Sequence, residues 1–492
     1  MPFTKGIAGK VVQGSLYSGV AAVISFGLAF ARAILMARLL SPEHFGVMAL
    51  AFFFVNTSNV LVNFGLCSVY IHCPNNDESL KRTYFSVQIC LYIIKTAIIL
   101  AIAPILKHLY PDIGNLQEVI IALALVSFVA GLSQIQTTLF QKDLNFSSLA
   151  VMEIVSSIMM IIVGPVTAWI GWGVWALVAE LASNAVTRIV LGWGVLRCWQ
   201  PRFGWDRQSW ELFWRLGKPT WIKTILYHLL DRFDDFWIGS ALGQIPLGYY
   251  DKSYDLACAP RRVFALPLLK VFEPVFARLQ HDRKRLSDAF FRSAYLLIRM
   301  VFFGAGLFAL IMPEFIRFVI GIKWLPMLWT FRLLLAYAAF DSLLKLIHGL
   351  FTAVGKPVHL RNATLVQTVF FLPAVILGAH IAGINGVAIA ADVMLLIGIG
   401  WLYNPLTKII DISLWRLLGW PLLALVAALG TGIVIESALH VPLWQLICLK
   451  ITMFTIIMGG ILLPMEGREY LRSITEVKGI IKSRKASKGQ MA

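Results

Sequence analysis

The sequence predicts an all-α polytopic membrane protein: about 14 transmembrane helices in two six-helix pseudo-repeat bundles, followed by a C-terminal helix pair. Three observations carry that reading. The chain is 59% hydrophobic and only 14% charged, with a mean hydropathy of +0.77, whereas a soluble domain has roughly 25% charged residues. Its apolar residues come in runs of about 20, the length that crosses a bilayer as a helix. Lys and Arg collect in alternate short connections, the asymmetry that orients a membrane protein.

The elements follow in order. A basic start, MPFTKGIAGKVVQGS, leads into an apolar run without an A-x-A cleavage site and on into a second span, so a retained first helix is expected rather than a cleaved signal. Runs near 15–39, 44–66, 83–109, 117–140, 148–170 and 172–196 give an N-terminal bundle, residues 1–197. The connection RCWQPRFGWDRQSWELFWRLGKP contains a basic cytoplasmic linker, 198–218. In it Trp199, Trp205, Trp210 and Trp214 suit interfacial anchors or a surface-lying amphipathic segment. Runs near 219–241, 246–275, 289–311, 327–352, 360–382 and 384–404 give the second bundle, 219–404. Runs near 415–438 and 442–464 are the extra pair within 405–465, and 466–492 is a basic tail.

With the N-terminus inside, the cytoplasmic connections hold Lys81, Arg82, Lys142, the cations of the linker, Arg278, Arg283, Lys284, Arg285, Lys356, Arg361, Lys408 and Arg416. The opposite loops at 170–172, 241–246, 380–385 and 436–441 hold no Lys or Arg. Both termini are therefore expected in the cytoplasm. The net charge of +17 is spread between apolar runs instead of forming one patch, which disfavours nucleic acid. Six cysteines form no CxxC pair and no cluster with His at metal spacing, so free thiols, no metal and no cofactor are expected.

The halves look related. ARLLSPEHFGVMALAFFF around the first hairpin corresponds to GSALGQIPLGYYDKSYDL around the seventh segment, with Gly46 answering to Gly248, and GWGVWALVAE from Gly171 resembles INGVAIAADV from Ile384. Repeats of an even number of spans start on the same side, so their pseudo-symmetry axis should run along the membrane normal.

One stretch brings many charges into the expected spans: LLDRFDDFWIGSALGQIPLGYYDKSYDLACAPRR, Leu229 to Arg262. Each ionised group in it would cost about 2.5–3.5 kcal/mol facing lipid at a helix centre, so these groups are expected to face one another or a wet cavity. Candidate cavity cations are Arg32, Lys95, Arg188, Arg232, Arg261, Arg262 and Arg299; Arg32, Lys95 and Arg188 have no opposite charge at i±3 or i±4. Lys345 and Asp341 sit four apart, as a helical ion pair or a transport element. Arg38, Arg292 and Lys270 lie near span ends and read as interfacial, snorkelling residues. Asp231, Asp234 and Asp235 group on one helix face, with Arg232 on another, and read either as a proton or sodium site or as acids neutralised by cavity arginines. Asp251 and Asp255, with Tyr249, Tyr250 and Tyr254, could bind sugar or form part of an outer aromatic belt. Asn56, Asn59 and Asn63 share a face, as glycan ligands or as helix-to-helix glue. Glu180 and Asp392, in corresponding segments, suggest a shared packing role, and Pro260, Pro267 and Pro274 should bend their span.

Four runs carry a family resemblance: RAILMARLLSPEHFGVMALA, GLSQIQTTLFQKDLNFSSLAVMEIVSS, PEFIRFVIGIKWLPMLWTFRLLLAYA and GKPVHLRNATLVQTVFF. In their order and spacing they look like the bacterial polysaccharide transport flippases of the multidrug/oligosaccharidyl-lipid/polysaccharide exporter superfamily, most of all the Wzx-like group. The resemblance implies a V-shaped pair of six-helix bundles, a central lined cavity, and movement of undecaprenyl diphosphate carrying a sugar repeat unit from the cytoplasmic to the periplasmic leaflet of the inner membrane. H+ or Na+ coupling is expected. Candidate partners are the lipid-linked oligosaccharide, membrane lipid, a polysaccharide polymerase and a chain-length regulator. A multidrug exporter of the same superfamily is the nearest alternative; an acidic, largely apolar cavity would favour it. A membrane polymerase or ligase is disfavoured by the short outer loops and by the absence of GxxxxGK[ST], HExxH and GxSxG in a suitable setting, so no enzyme is expected.

Overall fold

The computed structural model describes residues 3–73, 77–197, 199–438, 442 and 445–465, and among them every regular element is helical. The basic tail 466–492 and Cys198 lie outside the described residues. The chain divides into two compact units. The first runs to Asp251 and takes in Val319–Trp324; the second holds Lys252–Phe318 and the chain from Leu325 onward. The division therefore falls at 251–252, whereas the apolar runs suggested a break at 198–218.

The first unit contains α1 (Phe3–Leu39), α2 (Pro42–Val62), α3 (Leu66–His72), α4 (Glu78–Leu109), α5 (Leu116–Lys142), α6 (Phe146–Trp169), α7 (Val174–Ile189), α8 (Arg207–Ala241) and the start of α9 (Gln244–Ala257). Helix α1 packs on α6, α6 on α7, α4 and α7 on α5, and α2 on α5 and α8. In hydrocarbon no hydrophobic force drives helix onto helix, so close backbone approach and buried polar bonds must do it. The first device is visible where α2 meets α9. A Cβ on Gly46 would strike the backbone of Gln244, and one on Gly248 the backbone of Pro42. The two corresponding glycines thus meet. The second device joins α8 to this unit: Thr57 Oγ1 lies 2.9 Å from His228 Nε2, Trp221 Nε1 donates to Val60 O at 3.0 Å, and Phe53 stacks on Phe236.

The connection between α7 and α8 is folded down on this unit. Gln136 Nε2 donates to Trp199 O at 3.0 Å, the Gly204 N–H to Ser86 Oγ at 3.0 Å and the Asp206 N–H to Thr83 Oγ1 at 2.9 Å. Trp199 and Trp210 pack against a cluster built on Tyr70, Tyr84, Phe85 and Phe213, while Trp205 and Trp214 stay exposed. Asp206 caps α8, its carboxylate accepting from the Ser209 hydroxyl at 2.6 Å and N–H at 2.8 Å, and these bonds hold it below the usual carboxylate range.

The second unit contains a π-helical turn (Arg261–Ala265), α10 (Leu266–Leu279), α11 (Arg283–Phe315), α12 (Leu328–Ala353), α13 (Pro357–Thr407), α14 (Leu414–Ala438) and α15 (Gln445–Met465). Helix α12 packs on α10, α11 and α13, and α11 on α14. Leu310, Ala424, Ala428, Phe454 and Met458 make the core that joins α11 to the last helix pair. Helix α13 is two spans folded at Ala382 and Gly383. Gly383 there has φ 57 and ψ −138; Gly173, at the corresponding hairpin before α7, has φ 57 and ψ −128. Both are backbone states open only to glycine, so each hairpin turns on a glycine, although the sequence match pairs Gly173 with Gly386 and not with Gly383.

Eleven helices among the described residues are long and apolar enough to cross a membrane. Counting α13 as two spans, and admitting α8 and the run from α9 to α10, returns the about 14 spans expected from segment length. Of these, α8 carries Asp231, Arg232, Asp234 and Asp235, and α9 and α10 are each only 14 residues long, with the π-helical turn between them.

Candidate functional site

In the first unit each deep cation has an acceptor. Arg32 of α1 pairs with Glu180 of α7, and Gly164 of α6 leaves the space that Glu180 fills. Arg188 of α7 donates to Glu153 of α6 at 2.5 Å. Lys95 of α4 is buried, donates to Ser127 Oγ at 2.5 Å and lies 5.2 Å from the Tyr92 ring centroid. Glu180, Glu153 and Ser127 sit on other helices than their cations, so no i±3 or i±4 spacing points to them. Asn56, Asn59 and Asn63 are half-buried along α2, and Asn63 Oδ1 accepts the Gly65 N–H at 3.2 Å.

The acidic group of α8 is a compact network. Arg232 donates to Asp235 Oδ2 at 2.9 Å and lies 3.6 Å from Asp231 Oδ2. Arg232 therefore joins the acids instead of facing away, because residues 232 and 235 are themselves one turn apart. Asp234 accepts the Tyr250 hydroxyl at 2.7 Å, and its other oxygen accepts the Asp235 N–H at 3.0 Å. Asp234 and Asp235 are both 8% exposed. Tyr250, fully buried, serves Asp234 and offers no ring face to a sugar; Tyr249 donates to Lys323 O at 3.0 Å. Asp251 is half-buried at the end of the first unit.

The second unit holds a different balance. Asp341 of α12 accepts from Arg261 and, at 2.7 Å, from Lys345. One carboxylate thus serves two cations, with Arg261 and Asp341 12% and 9% exposed at their side chains. The Arg261 Nε is buried without an acceptor among the described residues. Arg262 turns back to Asp255, donating to Oδ1 at 2.5 Å and to the carbonyl at 2.8 Å. Both arginines stand on the π-helical turn after Pro260, a local widening common at functional sites. Arg299 lies 3.6 Å over the Tyr295 ring and donates to the carbonyls of Tyr295 and Leu417, each at 3.2 Å, which occupies it in joining α11 to α14. Sequence spacing missed one pair altogether: Lys450 of α15 donates to Glu314 of α11, both essentially buried. Among the described residues no cluster of three or more His, Cys, Asp or Glu is arranged to hold a metal ion.

Comparison with known proteins gives a consistent answer. The chain is 22% identical to the lipopolysaccharide biosynthesis protein WzxC of Escherichia coli (strain K12), over 87% of this chain and 89% of that one. It is 25% identical to the succinoglycan biosynthesis transport protein ExoT of Rhizobium meliloti (strain 1021), over 94% and 95%. Its fold matches the lipid II flippase MurJ in an inward closed conformation with a TM-score of 0.71 at 15% identity, covering 93% of this chain and all of MurJ. It also matches an inward-facing multidrug resistance MATE family transporter of the MOP superfamily with a TM-score of 0.63 at 14% identity, covering 80% and 98%. The family model described as polysaccharide biosynthesis protein matches residues 35–328, and the chain belongs to that family of multi-pass membrane proteins.

Proposed function

We propose that the protein is a flippase that carries a lipid-linked oligosaccharide, an undecaprenyl diphosphate bearing a sugar repeat unit, across the bacterial inner membrane by cation-coupled alternating access. The observation that supports this reading most is the sharing of Asp341 by Arg261 and Lys345. Two cations against one carboxylate leave a positive excess at depth, which is costly in low dielectric until an anion completes it. A diphosphate is such an anion, and Arg offers it two parallel hydrogen bonds. The family, and the relatives named for lipopolysaccharide and succinoglycan biosynthesis, point to a glycan made for export.

In this reading Arg261, Arg262 and Lys345 receive the diphosphate, and Arg32, Lys95, Arg188 and Arg232 set the charge balance within the first unit. Asn56, Asn59, Asn63, Asp251 and Asp255 offer hydrogen bonds to glycan hydroxyls. Asp231, Asp234 and Asp235 take up and release the coupling cation. The test is translocation of a labelled undecaprenyl diphosphate oligosaccharide in proteoliposomes, with proton and sodium gradients imposed separately. One gradient should speed translocation several-fold. Gradient-insensitive translocation would reject the coupling, and export of cationic drugs without any lipid translocation would reject the flippase reading.

A further inference from the structure

We propose that the second unit carries a separate binding site for the headgroup of an anionic glycerophospholipid, at the start of α11. A cavity of about 520 Å³ lies there, lined by Lys284, Asp288, Arg292, Asp411, Ser413 and Arg416 among others. Its walls are built. The Arg283 guanidinium donates to Asp411 at 2.7 Å and to Thr407 O at 3.1 Å, and the Asp411 N–H donates to Ser287 Oγ at 2.9 Å. These bonds fasten the chain between α13 and α14 across the first turn of α11. Arg416 lies 5.2 Å from the centroid of Phe291, a second wall residue.

Three features identify the ligand. Charge is the first: Asp411 is already paired with Arg283, so Lys284, Arg292 and Arg416 against Asp288 leave the cavity net positive, as an anionic phosphodiester headgroup requires. The same carboxylates, with Ser287 and Ser413, can accept hydrogen bonds from glycerol hydroxyls.

Depth is the second. Trp415, 80% exposed and next in sequence to Arg416 of the cavity wall, and Trp420, 40% exposed and one turn farther along α14, suit interfacial anchors. The neighbouring Arg283, Lys284, Arg285 and Lys408 mark the cytoplasmic side, whose leaflet is rich in anionic lipid.

Direction is the third. Arg292, Leu296 and Met300 fall at i, i+4 and i+8 on one face of α11, and Leu296 and Met300 are 42% and 39% exposed. The face that brings Arg292 to the headgroup therefore continues as an apolar track for an acyl chain. Snorkelling alone explains Arg292 but not a walled, net positive cavity at the end of an apolar track.

The test is native mass spectrometry and thermal unfolding of the full chain in detergent, with added phosphatidylglycerol, phosphatidylcholine, undecaprenyl diphosphate or sodium phosphate. Phosphatidylglycerol should be retained at about one molecule per chain and should raise the unfolding midpoint as a native-state ligand does. The double variant Arg292→Gln, Arg416→Gln should lose at least fivefold of that binding, while Arg207→Gln, at the exposed start of α8, should lose none. Equal retention of phosphatidylcholine, equal stabilisation by sodium phosphate, tighter binding of undecaprenyl diphosphate, or unchanged binding in the double variant would each overturn the proposal. Should the double variant not fold, Lys284→Gln and competition on the unaltered protein give the same decision.

Discussion

Asp341 and Glu180 show how differently two buried carboxylates constrain their arginines. Arg261 shares Asp341 with Lys345, so Arg261→Ala leaves the acid paired and the fold intact. We expect that variant to insert normally and to lose at least tenfold of its translocation rate in proteoliposomes; a wild-type rate would remove Arg261 from the diphosphate site. Arg32 is the only described ion-pair partner of Glu180, which is itself 3% exposed. Arg32→Ala should therefore destabilise by about 3–5 kcal/mol, the usual cost of stranding one member of a buried pair. Combining it with Glu180→Gln should restore most of the unfolding midpoint, and if translocation returns as well, Arg32 serves structure and not substrate. At this scale the sequence identifies which residues are charged at depth but not what they touch. Arg32 and Glu180 are far apart along the chain, and no local spacing encodes the meeting. Asp231, Arg232 and Asp235 were within reach of a spacing argument, because all lie within one turn.

At the scale of the element, contacts are set by what is absent. Gly46 and Gly248 let α2 and α9 approach until a single added carbon on either would strike backbone, which has no flexible end to give way. Gly46→Ala and Gly248→Ala should each cost about 1–3 kcal/mol or more, as overpacking does, and should lower the unfolding midpoint in detergent; an unchanged midpoint would show that the helices separate freely. The correspondence of these glycines was readable from the repeat, but their mutual contact was not, since a repeat states equivalence and says nothing of adjacency. The last pair of helices is held differently. Lys450→Met should strand Glu314 in the core of the second unit at a cost of about 3–5 kcal/mol. The double variant Lys450→Met, Glu314→Leu should recover it, because a well-packed apolar pair replaces a buried ion pair at little or no loss. Recovery below half would mean that the pair itself fixes the register of α15.

For the whole molecule, hydropathy and charge asymmetry were sufficient to give the class and nearly all the spans, because a bilayer imposes one length and one composition on every crossing. Two expected spans escape that rule: α8, which carries Asp231, Arg232, Asp234 and Asp235, and the run from α9 to α10, which the π-helical turn separates into helices of 14 residues each. The same physics yields a strict expectation for orientation. An even number of crossings returns both ends of the described chain to one side, and the side that holds Lys81, Lys142, Lys284, Lys356 and Lys408 should be the cytoplasm, because translocating a short basic loop is disfavoured. Single cysteines placed at Lys284, Lys356 and Lys408 in an otherwise cysteine-free chain should resist a membrane-impermeant maleimide in intact cells and react after permeabilisation. Cysteines at Trp172 and Leu242, in loops with no Lys or Arg, should react before it. A crossing lost or gained between two of these sites would place them in opposite classes, and a reversed chain would exchange the classes whole. The pattern of labelling therefore tests the number of crossings and their direction at once, and with them the premise that the headgroup cavity beside Arg292 opens to the cytoplasmic leaflet.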